Sequence, residues 1–236
     1  MITSLTNEKI KEYTKLNQSK YREEKGLFIV EGPHLVTEAK ALNLLVEVIT
    51  TDPNVDGTLV SEAVMKKLSN TVHPVKVLGI CKINKRDKIC SKVLVLDSIS
   101  DPTNLGTLLR SAVAFGFETV FLSNGSVDCY NDKVIRGSQG AIFKVNIIKG
   151  DLIKFLSTLK KTHQILGTNV RKGKDVSEIK KEPNLALILG NEARGMSEDA
   201  EEFVDLNLYI KMNNTESLNV SVAGSILMYE ITKNAN

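Results

Sequence analysis

The chain has 236 residues, a net charge of +3, and 42% apolar against 25% charged residues; these are ordinary proportions for a soluble globular protein with room for one large domain or two small ones. No apolar run is long enough to cross a bilayer, and the opening MITSLTNEKIKEY has no signal-peptide core. The three cysteines, Cys81, Cys90 and Cys129, form no CxxC pair and stand near no histidine cluster, which argues against a metal centre or disulfide framework and for a reducing, cytoplasmic setting.

The excess positive charge lies early. Residues 1–90 hold 14 Lys+Arg against 11 Asp+Glu, whereas 91–236 hold 17 of each. Lys9, Lys11, Lys15, Lys20, Arg22 and Lys25 form either a solvated helix face, given the interspersed Glu8, Glu12, Glu23 and Glu24, or a surface for phosphates; charge alone favours the first. Ile10, Tyr13 and Leu16 give Lys9 to Asn17 a helical period. LFIVEG (27–32) reads as a strand ended by Gly32, and Pro33 suits the first turn of a helix running to Leu42. LVEVIT (45–50) and VKVLGI (75–80) read as strands flanking a helix at LVSEAVMKKL (59–68), a small α/β unit. KINKRDKICSK (82–92) is the linker candidate.

A second α/β series follows. VLVLD (93–97) is a buried-type strand, and the loop SISDPTNLG leads to the helix TLLRSAVAF, which Gly116 stops. FETVFLS (117–123), FKVNII (143–148), QILGTNV (164–170), LALILG (185–190) and LNLYI (206–210) read as strands. Helices are expected near 151–161, near 197–204, and from about Ser217 to Lys233. Strands alternating with helices predict a mostly parallel sheet covered on both faces.

Ligands of such sheets bind beyond the carboxyl ends of the strands. Three loops there have unusual composition: SDPTNLGTLLR (100–110), LGNEARGMS (189–197) and IKMNNTESLN (210–219). No GxGxxG follows the strand at 93–97 and no GxxxxGK occurs, which disfavours a nicotinamide oxidoreductase or a P-loop enzyme. Taken singly, each loop has a plain structural reading. Asn104 stands where a helix cap would, with Arg110 on the surface two turns on. Gly190 permits close approach of a ligand or another backbone. Ser197 suits a cap, with Glu198, Asp199, Glu201 and Glu202 matching the helix dipole. Asn191, Glu192 and Arg194 are left without a structural role. In TESLNVSVAG (215–224), one of Ser217 or Asn219 can cap the last helix. Val220, Ala223, Ile226, Leu227, Met228 and Ile231 make that helix apolar on more than one side, as at a buried position or a subunit interface. Small residues such as Ser221 and Gly224 permit close helix packing.

Together, DPTNLGTLLRSAVAFG, LILGNEARGM and IKMNNTESLNVSVAGSILMYE resemble, in order and spacing, the three motifs of the SpoU/TrmH family of RNA ribose 2′-O-methyltransferases in the SPOUT superfamily. KVIRGSQGAIF (133–143) resembles the family's segment between the first two motifs, and residues 1–90 resemble the RNA-binding domain often attached in this family. The resemblance implies an α/β protein: a C-terminal methyltransferase domain at 93–236, whose mostly parallel sheet carries a trefoil knot, and a smaller N-terminal RNA substrate-binding domain at 1–88. It further implies S-adenosylmethionine as methyl donor, RNA as substrate, large-subunit ribosomal RNA above all, a homodimer, and neither metal nor membrane. The donor would be held by Asn169, Leu189, Gly190, Ile210, Met212 and Leu218, with the apolar Leu189, Ile210 and Leu218 flanking adenine. Asn104, Arg110, Glu192, Ser217 and Asn219 carry over as catalytic and RNA-positioning residues. Arg110 is the base proposed for the family. A guanidinium holds its proton throughout the accessible range, so a role in binding the target phosphate suits it better. The family's third motif has Pro between its Ile and Met where this chain has Lys211, which leaves the loop freer and adds a cation. Methylation of tRNA, or a non-catalytic RNA-binding or ribosome-assembly role on the same fold, are the other readings.

Overall fold

The computed structural model describes residues 1–71, 73, 75–84, 88–169, 173–176 and 182–233. The chain divides into two compact units, Met1–Asn84 with Tyr130–Phe143, and Lys85–Cys129 with Lys144–Asn236.

The first unit begins with α1 (Glu8–Lys15), capped by Asn7, whose side chain accepts from the Lys9 and Ile10 nitrogens. A helix the sequence periodicity did not announce, α2 (Ser19–Lys25), ends at Gly26 in the left-handed region, φ 65°. Then come β1 (Leu27–Glu31), α3 (Pro33–Ala41) and β2 (Leu45–Thr50). The expected helix at 59–68 is shorter. Thr58–Leu59 form β3 beside β2, and Ser61 caps α4 (Glu62–Leu68). β4 (Val77–Lys82) completes a four-stranded sheet of order β1-β4-β2-β3. β4 runs antiparallel to both its neighbours, so only β2 and β3 are parallel in this sheet. Ile10, Leu16, Ile29, Ile49, Met65, Leu68 and Leu78 form the core between helices and sheet. The proposed linker at 82–92 includes residues 85–87, which lie outside the described residues.

In the second unit the chain runs β5 (Lys92–Leu96), α5 (Pro102–Ala114) and β6 (Thr119–Ser123). Gly116, at φ 72°, ends α5 as the sequence suggests. The segment Tyr130–Phe143 then belongs to the first unit. It holds α6 (Asp132–Ser138), and the Phe28 ring packs 4.7 Å from Tyr130 and 5.9 Å from Phe143, centroid to centroid. The second unit resumes with β7 (Asn146–Gly150), α7 (Leu152–Leu159), β8 (Gln164–Thr168), β9 (Lys174–Asp175), β10 (Leu185–Leu189), α8 (Glu198–Glu201), β11 (Leu206–Tyr209) and α9 (Val220–Thr232). Val170, expected at the end of the strand from 164, lies outside the described residues.

Its sheet has the order β7-β6-β5-β10-β8-β11-β9, and every pairing is parallel. β6 and β10 are buried along their whole length, which explains their unbroken apolar runs. The sequence moves from β5 outward through β6 to β7, then returns to the other side of β5. That reversal makes the β5/β10 boundary a topological switch point, where parallel sheets open a crevice beyond the strand ends. The loops after β5, β10 and β11 all leave from that end.

Candidate functional site: a chain of oriented carboxamides beside a strand-end cavity

The loop after β5 places Asn104. Asp101, not Asn104, caps α5: its Oδ1 accepts from the Thr103 and Asn104 nitrogens at 2.6 and 3.0 Å, with Pro102 in the first turn. The structural reading of Asn104 as the cap is thereby corrected. An aspartate three residues earlier takes the orphan N–H groups and frees the Asn104 carboxamide. Asn104 is buried, and its Nδ2 donates to Glu192 Oε1 at 3.0 Å while its Oδ1 accepts from Asn219 Nδ2 at 2.9 Å.

Asn219 caps α9. Its Oδ1 accepts from the Ser221 nitrogen at 2.9 Å, the Ser221 hydroxyl at 2.7 Å and the Val222 nitrogen at 3.4 Å. Those donors require oxygen at that end, so Nδ2 must face Asn104, and Asn104 Nδ2 must in turn face Glu192. Ser221, which the sequence suggested only as a small packing residue, is buried and supplies the shortest of these bonds. Gly224 does serve packing: an added Cβ would lie 2.5 Å from Leu189 Cδ1 and 2.7 Å from Leu108 Cδ2.

Glu192 ends the chain. Its Oε2 accepts from the Ser100 nitrogen and hydroxyl at 3.2 and 3.0 Å, and its Oε1 also accepts from the Asp101 nitrogen at 3.2 Å. Partial burial would raise this carboxyl's pKa, but the converging donors of Asn104, Asp101, Ser100 and its own backbone outweigh that and hold it down to about 2. It is an anion across the physiological range and an acceptor, not a proton donor.

The loop after β10 is built by Asn191. Its Nδ2 donates to the Ser98 carbonyl at 2.7 Å, its Oδ1 accepts from the Ala193 and Arg194 nitrogens, and its backbone pairs with Gly195 in both directions at 2.9 Å. Gly190 is required by that return. An added Cβ would sit 2.1 Å from the Met196 nitrogen and 2.2 Å from the Gly195 carbonyl carbon, so the close approach is by the loop's own backbone. Ser197 stands at the start of α8 without a side-chain capping bond, contrary to expectation; its N–H instead donates to the buried Asp97 at 2.9 Å, tying this loop to the end of β5.

A cavity of about 370 Å³ opens at the ends of β8, β10 and β11, within the size range of small-molecule sites. All six residues expected to hold the donor, Asn169, Leu189, Gly190, Ile210, Met212 and Leu218, line it, as do Ser217 and Glu192. Aliphatic walls with strand-end backbone groups and a few polar side chains fit a nucleoside bearing an amino-acid tail, as in S-adenosylmethionine. Arg110 is not drawn into the carboxamide chain. It is exposed on α5, and among the described residues its guanidinium has no hydrogen bond or ion pair. Ser217 is exposed, and among the described residues only its carbonyl is bonded, by the Thr215 hydroxyl at 3.1 Å. Sequence reasoning gave Ser100 and Asp101 no part in the site and read Ser221 only as a small packing residue. The Asp-Pro pair was a signal for Asp101; a serine two residues past an asparagine carries no comparable mark.

Residues 91–229 match the model of the SpoU rRNA methylase family, and residues 7–79 match an MRM3-like substrate binding domain. The chain is 33% identical to the 23S rRNA (guanosine(2553)-2′-O)-methyltransferase RlmP of Bacillus subtilis, over 98% of each chain. Its fold superposes with a TM-score of 0.84 at 28% identity on a candidate RNA methyltransferase of the TrmH family from Porphyromonas gingivalis, covering 98% of this chain and 99% of that one. It superposes with a TM-score of 0.86 at 24% identity on an AdoMet-bound rRNA methyltransferase from Sinorhizobium meliloti, covering 100% and 98%.

Proposed function

The chain belongs to the SpoU rRNA methylase family, and from that premise we propose that it methylates the ribose 2′-hydroxyl of a guanosine in 23S ribosomal RNA. The observation that carries the reading is the bonded series Ser221–Asn219–Asn104–Glu192 beside a cavity lined by every residue expected to hold the donor. The methyl donor is S-adenosylmethionine, which supplies an electrophilic methyl on sulfonium. Leu189, Ile210 and Leu218 hold its adenine, and strand-end groups of Asn169, Gly190 and Met212 hold the rest. The cavity lies within the domain at 93–236, whose sheet carries the knot of this superfamily, and the domain at 1–88 binds the RNA.

The chain's own residues then have two tasks, to align the 2′-oxygen and to ease loss of its proton. Asn104 and Asn219 are held rigidly, and each keeps a second amide hydrogen free of the series, so they orient the ribose. Glu192 fixes Asn104. The exposed Arg110 binds the phosphate of the target nucleotide, and its charge lowers the hydroxyl's effective pKa. The Ser217 hydroxyl, at the cavity wall, contacts the ribose.

The protein works as a cytoplasmic homodimer. Val222, Ile226 and Tyr229, 47%, 37% and 50% exposed, lie along one stripe of α9 and support this, because an apolar helix stripe is otherwise costly to leave in water. Replacing Ile226 by Glu should give a monomer by light scattering. The basic first unit binds RNA through phosphates, which predicts affinity falling steeply with salt. The decisive experiment maps ribose methylation in total RNA from cells with and without the gene. Loss of a 2′-O-methylguanosine in 23S rRNA at the place matching guanosine 2553 is expected. Unchanged 23S rRNA with a lost tRNA mark would move the substrate, and unchanged methylation throughout would overturn the proposal.

A further inference from the structure

The cavity holds one charge that methyl transfer as described leaves without a role. Among its described lining residues Glu192 is the one anion and Arg194 the one cation. The Glu192 carboxylate is occupied by donors from Ser100, Asp101 and Asn104. The Arg194 guanidinium is exposed and has no hydrogen bond or ion pair among the described residues. Yet its backbone is pinned: its N–H donates to Asn191 Oδ1 at 3.2 Å, inside the loop closed by Asn191 and Gly195. A cation with no internal partner thus stands on a rigid turn at the cavity wall.

S-adenosylmethionine brings an α-carboxylate, an α-ammonium and a sulfonium. With its adenine against Leu189, Ile210 and Leu218, the amino-acid tail is left to the rest of the lining, which includes Arg194 as its one cation among the described residues. A carboxylate that loses water there needs a partner of opposite charge, and Glu192 repels it. A guanidinium fork matches a carboxylate with two parallel hydrogen bonds.

We infer that Arg194 binds the α-carboxylate of the donor's methionine moiety, and so makes the site selective for donors that carry that group. The inference rests on the methyl-transfer reading above. It is tested by calorimetric binding, without RNA, of S-adenosylmethionine and of decarboxylated S-adenosylmethionine, which differ in this one group. The intact protein should prefer the carboxylated ligand. In Arg194→Ala, affinity for S-adenosylmethionine should fall about tenfold or more while affinity for the decarboxylated ligand stays unchanged, the size expected for one lost charged hydrogen-bonding partner. Lys211→Ala removes an equal charge from the neighbouring loop and should leave the preference intact. Equal affinities for S-adenosylmethionine in the intact protein and Arg194→Ala overturn the inference, and so does a loss shared equally by both ligands or one confined to RNA binding. Failure of the intact protein to bind either ligand overturns the methyl-transfer reading as well, which separates the two failures.

Discussion

Asn219 Nδ2 lies 2.9 Å from Asn104 Oδ1, and this bond joins the start of the last helix to the first turn of α5 across 115 residues of sequence. Neither carboxamide is free to turn. Three donors of the α9 terminus claim Asn219 Oδ1, and the Glu192 carboxylate claims Asn104 Nδ2. Each bond donates toward the anion, so the series is polarised in one sense, an arrangement in which successive hydrogen bonds strengthen one another.

Two substitutions separate the helix cap from the chemistry. Asp is as good an N-cap as Asn, so Asn219→Asp should keep the cap, and its loss of stability, about 1–3 kcal/mol, should come from the broken bond to buried Asn104 alone. It places an oxygen against Asn104 Oδ1, and Asn104 can then turn only by presenting its own oxygen to Glu192. Turnover should fall about 100-fold or more from lost alignment, with donor binding unchanged. Asn219→Ala should lose the cap as well, at about 1 kcal/mol. Thermal melts beside methyl-transfer rates read both. An active Asn219→Asp enzyme would show that the amide sense is irrelevant.

Much of this site is legible in the sequence because its residues sit at the carboxyl ends of strands whose apolar runs are unmistakable. Gly190 follows β10 directly, Ile210 follows β11 directly, and both line the cavity. What is hidden depends on competition among neighbours. Asp101, Thr103 and Asn104 are all able to cap α5, and only geometry shows that Asp101 does so. The Ser221 hydroxyl looks like a packing choice until Asn219 Oδ1 is found 2.7 Å away. The two-residue strands β3 and β9 are too short to leave a period. Tyr130–Phe143 belongs to the first unit through long-range packing, α6 against β1 and the Tyr130 and Phe143 rings against Phe28 about a hundred residues away, that no local pattern encodes.

Glu192→Gln tests the anion at the end of the series. Donors from Ser100, Asp101 and Asn104 converge on the carboxylate, and an amide would offer one of them an NH₂. The side chain is well exposed, so the expected loss at pH 7 is only about 1 kcal/mol. The Glu192 carboxyl falls on folding from the usual 4.5 to about 2. Its contribution to stability is therefore complete above 4.5 and disappears as pH falls toward about 2. Wild type and variant should differ in melting temperature at neutral pH and converge over that acid window. The same depressed pKa means that an acidic limb of the activity profile near pH 6 cannot come from Glu192.

Gly190→Ala should act through the loop. The added methyl would meet the Met196 nitrogen and Gly195 carbonyl carbon at 2.1 and 2.2 Å, and backbone does not yield as a flexible side chain would. Opening the 191–196 turn should cost about 1–3 kcal/mol, and it displaces both Glu192 and the cavity wall. Calorimetry should find weaker donor binding together with a lower melting temperature. Normal donor affinity in a destabilised protein would place the cavity's binding surface elsewhere than on this loop.

Arg110→Lys asks whether planar phosphate recognition is needed. Arg110 is exposed and has no hydrogen bond or ion pair among the described residues, so the substitution should leave stability within about 0.5 kcal/mol of the wild type. Donor binding should also be unchanged, because Arg110 is not part of the cavity wall. Lys keeps the charge but loses the two-pronged fork that fixes an anion's orientation. If Arg110 aligns the nucleotide through its phosphate, turnover should drop by about 100-fold, and raising the pH should not restore it, since the lost fork is a matter of geometry. Near-wild-type turnover in Arg110→Lys would mean that positive charge alone suffices. Recovery of rate with rising pH would instead point to deprotonation at this position, the general-base role.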